Sequence, residues 1–318
     1  MRRTIPTFIT AAALLALPAA PAAGQRERDE YSSRIDTTVA FSRGGTVELQ
    51  LVSGEIIVTG WSRDQVRVRA TSERSALRLD ASGSYLSLGL RSGAARSGDT
   101  RFEVSVPVGT RVRATTTSGD IRISGSRGEV EARTQRGDIV VEDVGAGVDV
   151  TAFSGDVHVS NVAGSLRVNV LSGDVQVRGV GGDVEVKTVS GEIDVRDARS
   201  RLVRATSTSG DIAFEGAIDG AGRYELETHS GDVDLTLPAN VVATLTVSTY
   251  SGGIESDFEL VLQPGNVSAH GKSFTFTLGR GAGARISAQS FSGDINIRSR
   301  GGRTGGRGDT DRDVGGNR

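Results

Sequence analysis

Apolar and polar residues alternate in two short bursts that recur down most of this chain, each burst at a set distance from a glycine. Two and four places after the glycine come Ile121/Ile123, Ile139/Val141, Val157/Val159, Val175/Val177, Ile193/Val195, Ile212/Phe214 and Val233/Leu235. Later in each unit a second pair follows: Val130/Ala132, Val148/Val150, Leu166/Val168, Val184/Val186, Val203/Ala205, Tyr224/Leu226 and Leu245/Val247. A period of two marks a strand with one apolar face. Each unit therefore predicts two short strands, while positions between them, such as Arg122, His158, Gln176 and Asp194, face water.

The glycines set the period. Gly119, Gly137, Gly155, Gly173 and Gly191 are 18 residues apart, and Gly210, Gly231 and Gly252 follow at intervals of 19, 21 and 21. Gly54 carries an earlier copy, and Gly293, 41 residues beyond Gly252, fits two further coils with one motif lost. Two strands and two turns in 18 to 21 residues make a flattened coil that cannot bury its apolar face alone. Stacked about 4.8 Å apart, such coils enclose one apolar column. The fold class predicted is all-β, a parallel β-solenoid with about 18–21 residues per coil, 12 to 13 coils between residues 38 and 298 and a length near 60 Å.

Composition agrees with strands and turns: 43 glycines, one methionine, one tryptophan and no cysteine. Residues 1–24 read as a secretory signal peptide, with MRR, an apolar stretch from Phe8 to Leu17, and Ala20-Pro21-Ala22-Ala23. No other stretch approaches the roughly 20 apolar residues of a membrane-spanning helix. Export to the periplasm, the cell surface or the medium is expected, without disulfides. Residues 25–37 read as a polar N-terminal segment and 299–318, rich in Gly, Arg and Asp, as a disordered tail. Open strand edges at the ends need covers; the irregular stretch 252–292 reads as one, with Phe258, Phe274, Phe276 and Phe291 widening the last coils.

The segments VELQLVSGEIIVTGWSRDQVRVRA, FEVSVPVGTRVRATTTSGDIRI and GARISAQSFSGDINI resemble the DUF4097 family of bacterial putative adhesins, akin to autotransporter-adhesin-head and GIN domains, over about residues 35–298. The resemblance implies a right-handed, single-stranded β-helix exported to the envelope, and it carries no catalytic residues. The chain departs from the motif at Gly252-Gly253, which lacks the acid, and at Arg136, which replaces the serine.

The recurring acids Asp120, Asp138, Asp156, Asp174, Glu192, Asp211 and Asp232, with Asp294, stack at one corner. Charges about 4.8 Å apart repel by roughly 0.9 kcal/mol even in water. One answer is structural: glycine supplies the positive-φ corner, and Ser and Asp side chains accept from turn amides. The other is a cation-binding ladder, with calcium the suited ion and no other cofactor expected; binding would register as heat on calcium titration. His158, His229 and His270 have no zinc spacing and read as solvated. Arg136-Gly137-Asp138 is a repeat corner and Arg307-Gly308-Asp309 a product of tail composition. Trp61 is expected to pack the first coils, and 4% aromatic residues argues against an extended sugar platform.

Identical corner acids offer no differentiated acid and base, so an enzyme is not expected. A net charge of −2 with interspersed signs supplies no field to recruit nucleic acid. The reading is an exported, non-enzymatic binding module whose flat faces meet a protein or glycan through many weak contacts. Alternatives are a periplasmic structural or regulatory module with a membrane-protein partner, and a polysaccharide-acting enzyme.

Overall fold

The computed structural model describes residues 33–91, 100–259, 261–262, 272–281 and 283–300. The signal peptide, His270, the second Arg-Gly-Asp and the tail beyond residue 300 lie outside them. Among the described residues there are 25 strands and no helix. The strands begin at Ser33 and end at Arg300, a few residues outside the expected 38–298 span. Ser33–Ala40 alternates half-buried and exposed positions and pairs antiparallel with Gln65–Ser72, so the end of the polar segment is part of the sheet.

Between Arg111 and Leu237 each coil contributes one strand to each of two parallel stacks. Val148–Ser154 pairs with Leu166–Ser172 in one stack, and Val157–Val162 pairs with Val175–Val180 in the other. Every inward pair predicted from the alternation is buried. Equivalent residues sit above one another, as with Val157, Val175 and Ile193. Burying one such side chain contributes about 1.5–3 kcal/mol, and repetition supplies the core that cysteines would otherwise have to reinforce.

The first corner of each coil is the motif glycine. Gly155 has φ +129° and Gly173 φ +142°, which L side chains rarely adopt. A methyl on Gly173 would lie 2.7 Å from the Gly155 carbonyl carbon and overlap its oxygen. Glycine is thus required by backbone conformation and by close stacking together. Alongside runs a third inward column that includes Thr134, Ala152, Val170 and Thr188. Some of its hydroxyls serve the corner, Thr228 donating to the Gly210 carbonyl at 2.9 Å and Ser290 to that of Gly231 at 2.9 Å, whereas those of Thr116 and Ser207 are buried without a partner among the described residues.

The second corner uses a left-handed residue. Asp143, Asn161, Gly179 and Asp197 hold φ of 55°, 55°, 70° and 53° at 18-residue spacing. Asp and Asn tolerate that region because their short polar side chains bond locally. The Asn161 amide donates to Asp143 at 2.9 Å across the coils.

Both ends depart from sequential stacking. The long strand Thr46–Trp61 lies against Arg111–Ser124, with Gly54 beside Gly119. Its other edge is met by Tyr85–Leu90 and Thr100–Pro107, after which the strands run antiparallel. Trp61 holds the turn there: its indole donates to the Gln65 carbonyl at 2.6 Å, and Arg63 covers the ring at 5.1 Å.

At the far end the chain doubles back. Ser230 pairs with Ser292, and Ser292 with Ser251, so the Gly293 coil is inserted between the Gly231 and Gly252 coils. The expectation of two further coils beyond Gly252 is corrected: Gly231 N–H donates to the Ser292 carbonyl at 3.0 Å and Gly293 N–H to that of Ser251 at 3.0 Å. Lys272–Leu278 then covers Ala243–Ser251 antiparallel. In place of the expected 12 to 13 coils, the described residues form ten motif-bearing coils with antiparallel layers at both ends. Phe276 is buried and Phe258 and Phe274 pack on the core, but Phe291 stands 49% exposed on the outside, because its place two before the glycine faces outward.

Candidate interaction face

The acids come together as one ladder, held between coils. Asp120 accepts from the Asp138 amide at 3.0 Å, Asp138 from Asp156 at 3.0 Å, Asp156 from Asp174 at 2.9 Å and Asp174 from Glu192 at 2.9 Å. Beyond Glu192 the series resumes, Asp211 accepting from the Asp232 amide at 2.8 Å, Asp232 from Asp294 at 2.7 Å and Asp294 from Gly253 at 2.7 Å. Each bond to an ionised acceptor offsets the repulsion between stacked carboxylates. Among the described residues no three His, Asp or Glu form a group able to hold a metal ion.

Asp156→Ala removes one such bond and is expected to cost about 1–2 kcal/mol. Asp156→Asn keeps the acceptor and loses the repulsion, so its melting temperature should match or exceed that of the unaltered protein. A collapse of both variants by the same amount would contradict the ladder's role.

Glu192 is one methylene longer and does not accept from the Asp211 amide. Burial, followed by Asp194, Asp174 and Asp211, raises its carboxyl above the ordinary range. A raised acid favours the folded state only while protonated, so stability falls as pH rises through its folded value. Glu192→Gln should therefore raise the melting temperature slightly at pH 7, and the gain should vanish in acid. The effect stays small because the carboxyl is largely exposed.

One face carries three outward columns. The first alternates in charge except where Asp149 follows Glu131, with Arg113 bonded to Glu131 at 2.9 Å, Arg167 to Glu185 at 3.2 Å and Arg204 to Glu225 at 2.6 Å. Lys187 and then Arg167 hold the Glu185 carboxyl below its usual range. For Glu225, burial pushes upward but is outweighed by Arg204 and Arg223. The second column is mixed, running through Thr151, Asn169, Lys187, Thr206, Glu227 and Gln289.

The third column stands two residues before the motif glycines. In spatial order it reads Val52, Thr117, Gln135, Phe153, Leu171, Val189, Thr208, His229, Phe291 and Tyr250. The large apolar residues exposed among those described are Val52, Tyr85, Phe153, Leu171, Val189, Tyr250 and Phe291, and all but Tyr85 lie in this column. Such residues scattered singly carry no meaning, but a line of them marks a contact surface. Phe291 stacks on His229 at 4.8 Å between ring centroids and on Tyr250 at 4.9 Å, with interplanar angles of 11° and 1°. His229 is thus exposed but stacked, whereas His158 is exposed on the opposite face. Beside Phe153, Leu171 and Val189 runs a groove of about 640 Å³, floored by Ala152 and Val170.

The sequence reading placed the glycine corners and the acids, and the structure stacks both. It missed the ridge. The signal was present: Phe153, Leu171, Val189, Phe291 and Tyr250 each stand directly before a Ser-Gly pair.

A stack of two-strand coils with glycine corners and a ridged outer face defines an all-β solenoid that offers a repeating surface. The chain belongs to the Toastrack DUF4097 family, which matches residues 36–196 and 103–298. No curated protein matches it. Crystal structures to which the chain is similar include three of bacterial proteins. One is a "putative cell adhesion protein" from Clostridium sporogenes, with 9% identity, TM-score 0.21, and coverage of 84% of this chain and 100% of that one. Another is a "putative adhesin" from Bacteroides fragilis, with 13% identity, TM-score 0.36, and coverage of 84% and 97%. The third is a "putative lipid binding protein" from Parabacteroides distasonis, with 13% identity, TM-score 0.37, and coverage of 83% and 96%. Among the described residues no helix is long and apolar enough to cross a membrane.

Proposed function

We propose that this chain is an exported, non-enzymatic binding module of the cell envelope or surface, adhesin-like in the sense that it grips a partner along the ridge. The observation that carries the reading is that, among the described residues, all the exposed large apolar side chains but Tyr85 fall in one column. The acids support it from the other side: repeated bonds to the next coil's amide give the ladder a structural task. Repetition then converts many weak contacts into a firm one.

The test is binding of fluorescently labelled protein to cells and isolated envelopes of the producing bacterium. Substituting serine at Phe153, Leu171 and Val189 together should weaken binding by about tenfold or more, with the melting temperature nearly unchanged because the three side chains face solvent. Undiminished binding by a folded triple variant overturns the reading. Proteolysis of intact cells separates the surface setting, in which the chain is cut, from a periplasmic one with a membrane-protein partner, in which it is spared.

A further inference from the structure

We infer that the partner gripped by the ridge is a second copy of this chain, packed antiparallel about a two-fold axis that passes through Thr208. The inference rests on the ridge being a contact surface and goes on to name what it contacts.

Spacing along the ridge selects the partner. The rings of His229, Phe291 and Tyr250 stack in turn with centroids 4.8 and 4.9 Å apart, so the ridge there keeps the spacing of the coils. A partner following successive coils has to repeat at about 4.8 Å. An α-helix advances about 5.4 Å per turn, and a strand laid along the ridge presents same-side residues about 6.7 Å apart. Both fall out of step within a few coils. A second ridge does not.

The order of residues selects the same partner. One, two and three coils from Thr208 lie Val189, Leu171 and Phe153 in one direction and His229, Phe291 and Tyr250 in the other. A two-fold axis through Thr208 sets Val189 against His229, Leu171 against Phe291 and Phe153 against Tyr250 of the second copy, and each pair occurs twice. This is the self-complementarity an isologous dimer requires. Thr208 itself, small and exposed, leaves room at the axis.

Charge agrees. The same operation on the neighbouring column brings Lys187 opposite Glu227 of the second copy, again twice; both are exposed. In the outermost column Arg204 meets its own copy at the axis and Glu185 meets Glu225, but within each chain Arg204 is bonded to Glu225, Glu185 to Lys187 and Arg167, and Glu225 also to Arg223. Seven coils by three columns make a face of about 34 by 20 Å, or roughly 700 Å², close to the ~800 Å² per partner of a standard interface.

The chain has no cysteine, which gives a direct test on the purified protein. Sedimentation should report two copies, and Leu171→Asp should yield a folded monomer. Under mild oxidation Thr208→Cys should form a covalent dimer, since the two sulfurs meet at the axis, whereas Thr117→Cys, in the same column but beyond the paired length, should stay single. A monomeric unaltered protein, or a dimer that cross-links at Thr117 and not at Thr208, overturns the inference. The cell-binding assay keeps the two proposals apart. If the unaltered protein is monomeric yet the triple serine variant loses cell binding, the ridge serves another protein or a glycan and only the second copy is refuted. A Thr208-linked dimer whose cell binding ignores the serine substitutions refutes the gripping of cells along the ridge and upholds the dimer.

Discussion

Replacing Val175 by aspartate should lower stability by more than about 4 kcal/mol, a fall of roughly 10 °C in melting temperature for a chain of this size. Val175 is fully buried, with Val157 on one side and Ile193 on the other in the same inward column. A carboxylate there is placed between the side chains of Val157 and Ile193 and out of reach of water. Relief by rotation is blocked because shifting a strand by one residue would expose its whole inward set. The control is the next residue. Gln176 is exposed, so Gln176→Asp should melt within a degree or two of the unaltered protein. Equal melting of the two aspartate variants would contradict the register.

Gly173→Ala should be nearly as damaging, for a different reason. The added methyl must sit at φ +142° and overlap the Gly155 carbonyl oxygen. A strained backbone alone costs on the order of 1–3 kcal/mol; the overlap adds to it, because the atom struck is backbone of the next coil and cannot swing away. The expected loss is about 3 kcal/mol or more, seen as a fall in the denaturation midpoint. Gly109→Ala separates the two contributions. Gly109 also has positive φ, +87°, but a methyl there meets nothing within 4 Å, so only the conformational cost of about 1 kcal/mol should appear. Matching losses at the two glycines would show that close stacking is not what the motif glycine serves.

The parts of the fold legible in the sequence were those fixed within one coil. The Ile-x-Ile and Val-x-Val pairs after each glycine declare their inward face, and the 18-residue interval declares stacking. What failed was order between coils. Ser230, Ser251 and Ser292 sit in identical Ser-Gly corners, so the motif allows any of them to stack on any other. Their order is decided at the end of the rod, where Ala243–Ser251 takes an antiparallel neighbour and Ala284–Ser292 fills the gap beneath. The second corner was hidden because Asp143, Asn161, Gly179 and Asp197 share a backbone conformation, not a residue type. The ridge is hard to see in the sequence because its column mixes Val, Thr, Gln, Phe, Leu, His and Tyr, and its one residue read as core is Phe291. Phe291 shows the error: alternation puts it outside, and only the spatial insertion of its coil brings its ring between those of His229 and Tyr250.

The ridge as one continuous surface depends on that insertion, and paired cysteines test it most directly. Residues on neighbouring coils are within disulfide reach, while those two coils apart, at about 9.6 Å, are not. The account predicts that His229→Cys with Phe291→Cys closes an intramolecular disulfide on mild oxidation, read as a faster band on a non-reducing gel, and that His229→Cys with Tyr250→Cys does not. Closure of the 229/250 pair, with 229/291 left open, would mean that the coils stack in chain order and would contradict the ridge.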